Sequence, residues 1–520
     1  MRIGTIPGLS LGIVQIGEDG KPRIELAAWG RGTEDAEEHD LTPEGLFGLA
    51  SCSKAFLATS VGLLMDDFAE GRNVTPLPDG VTQFDWNTKV KDTLPGDWEL
   101  ADEWATEKAN WQDLLSHVSG LPRHDYSYTP GDTPQDIARR MRYLPPPTSS
   151  DSNGPITIRC LYSAPTSSRH MQTCHMWTSS RRGSSCLSTW RRLPSGQARL
   201  RGRVVGLNAG PGGIISSAAD MTKWIAVLLN AGVVPSTNRT IIPQWVFDEV
   251  TTAHAITNGQ PPADLSIQGY GLGWGRWSYK GHEIVTHTGG IPGFSTLVAF
   301  LPTDRLGFVI LANAGAKAHE NDEIMYRIVD EVFGLPEKPQ VVVTPVEATS
   351  GEMLSCLNRA PRDRRGLSLA LDEYAGTYHD PGYGAFTLCA PNSTSHYCSG
   401  VLGDFAPFEH FDSSPAPVTL YVAWRRMWST HARLVHRDGD AFGVTATALF
   451  PHGYGKNESA FETYEEGEAE GRAEFVFEEV KGVKKVKGLA LMIDEHAVAA
   501  RARQTRGTVE EIADAWFVKV

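Results

Sequence analysis

In the stretch "LFGLASCSKAFLATSVGLLMDD", Ser51 and Lys54 stand three residues apart at the start of a long apolar run. The run has helical character, so positions three apart share one face. Two chemistries fit that placement. A serine at a helix start can cap it, its side-chain oxygen accepting a backbone N–H. It can also be a nucleophile, with a lysine one turn along to take its proton. The spacing alone is short and recurs by chance. A second serine, Ser10 in "GLSLG", fits the pattern of a strand-to-helix nucleophile elbow. Strand character continues through Ile16, however, so Ser10 is expected inside a strand. No H-E-x-x-H, phosphate loop or dinucleotide-binding glycine motif in a βαβ setting is found, and neither metal nor cofactor is expected. His117 and His124 stand alone and read as structural.

Two more stretches join Ser51 and Lys54 in chain order: Tyr162 in "CLYSAPT", and His287 in "VTHTGGIPGFST". With the flanking "LLSHVSGLPRHD", "LNAGPGGIISSAADMTKW" and "GYGLGW", this order resembles the serine β-lactamase and penicillin-binding-protein family: S-x-x-K, then Y-x-N, then K/H-T-G. It is most similar to the class C β-lactamase-type esterases and peptidases of fungi. The resemblance runs over roughly residues 6–335. It implies an α/β, β-lactamase/transpeptidase-like fold, an antiparallel sheet flanked by helices plus a helical subdomain. It implies Ser51 as nucleophile, with Lys54 and Tyr162 sharing the proton relay. The strand edge His287, Thr288, Gly289 and Gly290 would line the substrate. The N–H groups of Ser51 and Gly290 would form an oxyanion hole. The sequence departs from the pattern twice. His287 stands where penicillin-recognising members usually carry Lys, which tilts the substrate toward a neutral ester or amide. Ala164 stands where the second motif has Asn, and Tyr126 and Tyr128 are alternatives to Tyr162. The function implied is a serine hydrolase that forms an acyl-enzyme on a small-molecule ester or amide. An acyltransferase using the same intermediate and an inactive homologue that only binds are the rival readings.

Several elements must position these residues. "PGLSLGIVQIGEDGKPRIELAAWG" predicts a hairpin turning at "GEDGK". A helix is expected from Ser51 to about Glu70, closed by Gly71. Shorter helices are expected in "NWQDLLSHVSGLPRHDY", stopped by Gly120 and Pro122, and after Thr133. Ser217 and Asp220 predict a capping box for the helix that ends before Gly232. The text around His287 predicts three strands interrupted by a Gly-rich bend at "HTGGIPG". A helix follows in "NDEIMYRIVDEVFG". Residues 1–335 are therefore expected to form the hydrolase domain, 336–367 a linker, and 368–520 a β-rich, lipocalin-like domain without a catalytic group. The stretch 159–203 is anomalous. It has nine Arg and no Lys, and no Asp or Glu occurs between 152 and 219. It reads as a disordered insertion or a mistranslated segment.

The 520 residues carry a net charge of −14, which argues against a nucleic-acid partner, because such binding needs a basic face. No apolar run is long enough for a transmembrane helix, and no signal peptide is expected. Seven scattered cysteines without a C-x-x-C pair argue against a disulfide or zinc framework and for a reducing, cytoplasmic setting. The oligomeric state is not legible.

Overall fold

The structure, a computed structural model, describes residues 6–32, 40–72, 76–118, 124–146, 212–336, 365–409, 418–427, 429–454, 458–463, 470–505 and 507–520. Tyr162, the stretch 159–203, Gly120, Pro122 and most of 336–367 lie outside them. The chain divides into two compact units, Met1–Asp322 and Glu323–Val520.

The first unit is built on an eight-stranded antiparallel sheet. Its strands are β1 Gly8–Ile16, β2 Pro22–Gly30, β3 Ala255–Asn258, β4 Gln268–Tyr270, β5 Gly275–Tyr279, β6 His282–Ile291, β7 Phe294–Leu301 and β8 Leu306–Ala312. They lie in the order β2-β1-β8-β7-β6-β5-β4-β3. Every residue of β8 is buried, as befits a continuous apolar run in mid-sheet. Ser10 is buried in the middle of β1, so the elbow pattern is a coincidence of strand residues.

Helix α1, Ser53–Ala69, is apolar nearly all round, and 13 of its 17 residues are buried. Phe56 stacks on Trp224 of helix α2, Ala218–Leu229, with ring centroids 4.6 Å apart. Helix α2 lies flat on the sheet because two strand positions lack a side chain. A Cβ on Gly12 would meet Thr222 Cγ2 at 2.5 Å, and one on Gly307 would meet Ile225 Cγ2 at 2.4 Å. Ser217 caps α2 by accepting from the Asp220 amide, but only half of the expected box forms. The Asp220 carboxylate accepts from Lys223 Nζ instead.

The expected Gly-rich bend is also corrected. Strand β6 runs unbroken through "HTGGI", paired with β7 from Val285 to Ile291, and the turn falls after it, where Gly293 has φ 86°. Four strands, not three, span residues 275–312.

The second unit begins within helix α3, Ala318–Phe333. Its strands are β9 Gly376–Asp380, β10 Gly384–Leu388, β11 Thr419–Ala423, β12 His431–Asp438, β13 Ala441–Phe450, β14 Glu470–Val480, β15 Val483–Met492 and β16 Ala515–Lys519. The order β10-β9-β16-β15-β14-β13-β12-β11 nearly closes into a barrel, and a ninth short strand, Phe461–Thr463, pairs with the end of β13. The two ends meet where Cys389 and Tyr421 exchange backbone hydrogen bonds of 2.8 Å each. Tyr374, Tyr378, Phe442, Phe475 and Phe517 are buried there, at most 3% exposed.

The unit is β-rich as expected, with helix α4, His396–Phe405, and helix α5, Glu495–Gln504, added to its strands. Helix α4 buries Cys398, Val401 and Phe405, one face at helical spacing, although two glycines mask its propensity. One expectation fails in this unit. Cys389 and Cys398 form a disulfide, against the expectation of none. They stand nine positions apart in sequence, but the start of α4 returns to the end of β10 and brings their Cα atoms to 5.4 Å. That bond removes the cysteine argument for a reducing compartment. Among the described residues, no helix is long and apolar enough to cross a membrane.

Candidate functional site

Ser51 lies in a one-turn 3-10 segment, Ala50–Cys52, that leads directly into α1. No side chain caps either helix start, so the capping reading of Ser51 is not what the structure shows. Lys54 is buried, 5% exposed, and its Nζ donates to Ser51 Oγ at 2.8 Å. The residue before the serine, Ala50, is fully buried with φ 47°, in the left-handed region that a side chain resists.

Several bonds hold this turn. Leu49 N–H donates to the Ile214 carbonyl at 2.8 Å, and Ile214 N–H donates to Ser53 Oγ at 3.2 Å. Phe47 and Gly48 pair with Ser216 and Ile215. From the sheet, Thr296 Oγ1 donates to the Leu49 carbonyl at 2.9 Å. Cys52 Sγ lies 3.4 Å from that hydroxyl and donates to the His287 carbonyl at 3.2 Å. Burial pushes the Cys52 thiol up to about 11, so it stays protonated and hydrogen-bonded.

Glycine makes these approaches possible. A Cβ on Gly289 would lie 2.4 Å from the Leu49 carbonyl oxygen. Gly273, with φ 83°, lets the loop after β4 press on the backbone of Lys54, whose carbonyl a Cβ would meet at 2.7 Å. So β6 and the "GYGLGW" loop together fix both ends of the Ser51–Lys54 turn.

Along β6, Thr288 and Gly290 are exposed, Gly289 is buried and His287 is half-buried. Gly290 sits opposite Ser295. His287 Nδ1 lies 2.5 Å from the Thr288 carbonyl, and Nε2 lies 3.1 Å from the hydroxyl of Tyr270. Burial, reinforced by the charge of Lys54, holds the imidazole down at about 3. His117 stacks on the Tyr270 ring with centroids 4.6 Å apart. It too is held down at about 3, by burial first and then by Lys54 and His287. Burial raises the Tyr270 phenol well above its usual value.

The structure thus brings together Ser51, Lys54 and His287, all singled out from sequence. It adds Tyr270 and His117, one overlooked and one set aside as structural. "GYGLGW" was itself a signal for Tyr270, but nothing local shows where its hydroxyl points. His124 is buried elsewhere and donates to the Pro145 carbonyl from Nε2 at 3.2 Å. Tyr126 and Tyr128 lie in and just after the turn Asp125–Ser127. Tyr162 lies outside the described residues.

The chain is similar to several known proteins. An unguisins hydrolase, ungD, of Aspergillus violaceofuscus is 26% identical over 456 residues, which span 75% of this chain and 74% of its own. Among solved structures, the octameric penicillin-binding protein homologue of Pyrococcus abyssi superposes with a TM-score of 0.47 at 15% identity, over 94% of this chain and 95% of that one. The D-amino acid amidase of Ochrobactrum anthropi superposes with a TM-score of 0.45 at 18% identity, over 63% of this chain and 95% of that one. The beta-lactamase family model matches residues 1–167 and 170–332, well over half of the sequence, and the chain belongs to the beta-lactamase family.

Proposed function

We propose that the protein is a serine hydrolase that acylates Ser51 with a small ester or amide substrate and releases the acyl group to water. The observation that carries this reading is the 2.8 Å contact between Lys54 Nζ and Ser51 Oγ, in a turn pinned by the sheet. When the amine is neutral, the same path takes the serine proton as Oγ attacks the carbonyl carbon. Ser51 lies two residues before the first residue of α1, at the positive end of the helix dipole. Negative charge developing on the substrate oxygen would be held there, by the N–H groups of Ser51 and Gly290. The lysine then returns the proton to the leaving alcohol or amine. Water attacks the acyl-enzyme by the same relay and regenerates the hydroxyl. His287, neutral and half-buried, would border the substrate with Thr288 and Gly289. The Aspergillus relative named as a hydrolase supports hydrolysis over transfer to another acceptor.

A fluorophosphonate probe followed by peptide mapping tests the assignment. One adduct, on Ser51, is expected, and none in Ser51→Ala. Labelling that survives that substitution would sink the reading.

A further inference from the structure

We infer that Thr296 is a positioning residue for the acylation of Ser51: its hydroxyl pins the Leu49 carbonyl, which keeps Ala50 in the left-handed conformation that sets the direction of the Ser51 N–H. The inference rests on reading Ser51 as the acylated residue and deepens it.

Ala50 joins two peptide groups. The one before it carries the Leu49 carbonyl, and the one after it carries the Ser51 N–H. Rotation at Ala50 turns one against the other. With φ 47°, Ala50 occupies a region that its methyl group disfavours. Released, it would return to a negative φ and swing the Ser51 N–H to a new direction relative to the sheet. A group outside the turn must therefore hold the peptide that carries the Leu49 carbonyl.

Thr296 is the group placed to do so. Its hydroxyl has one hydrogen to give and three neighbours: the Leu49 carbonyl at 2.9 Å, Cys52 Sγ at 3.4 Å and the Gly289 carbonyl at 3.5 Å. Only the first lies at an ordinary hydrogen-bond distance. The Cys52 thiol gives its own hydrogen to the His287 carbonyl. The Cys52 N–H also donates to the Leu49 carbonyl, at 3.1 Å, but it belongs to the same turn and would move with it. Thr296 would not. It is 1% exposed in mid-strand β7, paired with Gly289 on one side and Leu311 on the other. The bare Gly289 opens the path between them, since a Cβ there would lie 2.4 Å from both the Thr296 hydroxyl and the Leu49 carbonyl oxygen. At the other end of Leu49, the N–H donates to the Ile214 carbonyl. Two elements thus hold Leu49, and Thr296 holds the side that faces Ala50.

A set of variants of the full chain, assayed on p-nitrophenyl butyrate, tests this. Thr296→Val removes the hydroxyl at nearly constant shape. Its kcat and kcat/KM should fall together, by about tenfold to 10², with KM changed by less than about threefold. Thr296→Ser keeps the donor and should hold kcat within about threefold of the unaltered protein. Phenylboronic acid forms a tetrahedral, anionic adduct on a reactive serine. It should bind Thr296→Val more weakly by the factor that kcat/KM loses, as an analogue of the transition state must. A role in packing alone would lower the melting temperature and leave that affinity unmoved. Adding Ala50→Gly to Thr296→Val should bring kcat back to within about threefold, because glycine adopts a positive φ without steric cost.

Unchanged kcat in Thr296→Val would overturn the inference. So would a double variant as slow as Thr296→Val, or a Thr296→Ser protein that loses tenfold or more. Should Thr296→Val not fold, Thr296→Ser decides by the same criterion. Failure of the underlying reading looks different, because the unaltered protein would then neither turn over the ester nor take a fluorophosphonate on Ser51.

Discussion

The two units of this chain use the same element, an antiparallel sheet of eight strands in the first and nine in the second, in opposite ways. In the second unit, the nearly closed sheet is packed with rings: Phe442 touches Tyr374 and Phe475 edge-on or tilted, with centroids 5.2–5.9 Å apart. In the first, glycine thins the sheet and the loop after β4 at the candidate site. Gly289 and Gly273 leave room not for side chains but for the backbone that presents Ser51 and Lys54. Rings fill space and give stability through buried apolar area. Bare backbone gives proximity, bringing a main-chain turn within hydrogen-bond reach of a strand. Stability and reactivity are thus written in different residue types, which can be altered separately.

Four experiments sharpen or break that contrast. The largest effect is expected from Lys54→Ala, which should lower turnover of a p-nitrophenyl ester by about 10²–10⁴ while the fold persists. Unchanged turnover would mean that the lysine is only a structural amine. Next, Phe442→Ala in the second unit should cost about 3–5 kcal/mol in denaturant unfolding of that unit. Probe labelling of Ser51 should remain, and its loss in a folded variant would show that the second unit helps to build the site.

Gly289→Ala should do the reverse. Its methyl cannot coexist with the Leu49 carbonyl 2.4 Å away, so the turn must shift. Turnover should fall by about 10² for a displacement near 1 Å, with melting changed little. A variant that melts early but keeps full turnover would contradict the division drawn here. The smallest effect concerns pH. His117 and His287 titrate at about 3 in the folded protein and near 6.5 when unfolded. Between those values the unfolded chain binds more protons. The stability that these rings contribute is therefore complete above about pH 6.5 and is lost as pH falls toward 3, by up to about 1.4 kcal/mol per pH unit for each ring. Urea midpoints of the first unit measured at pH 7 and 5 should differ less in His117→Asn than in the unaltered protein.

What was legible in the sequence was what is local. Ser51 and Lys54 are three residues apart, so helical geometry alone puts them on one face. The hairpin at "GEDGK" and the cap at Thr133 depend on adjacent residues in the same way. Contacts across the fold were not legible. Tyr270 reaches His287 across the intervening strand β5, and His117 covers Tyr270 from 153 residues earlier. "HTGGI" looked like a bend because glycine is a poor strand former. Its Gly289 serves the approach of a partner backbone, which no local pattern records. The Cys389–Cys398 bond and the helix that carries Cys398 were missed for a like reason, since α4 is held by its attachment as much as by its own propensity.

The φ of Ala50 bears on the order in which the molecule assembles. A buried alanine in the left-handed region costs about 1–2 kcal/mol, and nothing within the turn repays it. The compensating bond from Thr296 to Leu49 joins residues 247 apart. It exists only after β7 has docked, and closing so long a loop is a late event in folding. The turn that carries Ser51 should therefore mature last and open first. In hydrogen exchange, the Cys52 amide, bonded to the Leu49 carbonyl at 3.1 Å, should lose protection well before the amides of β8. Mild denaturation would then disarm the serine while the sheet beneath it is still whole.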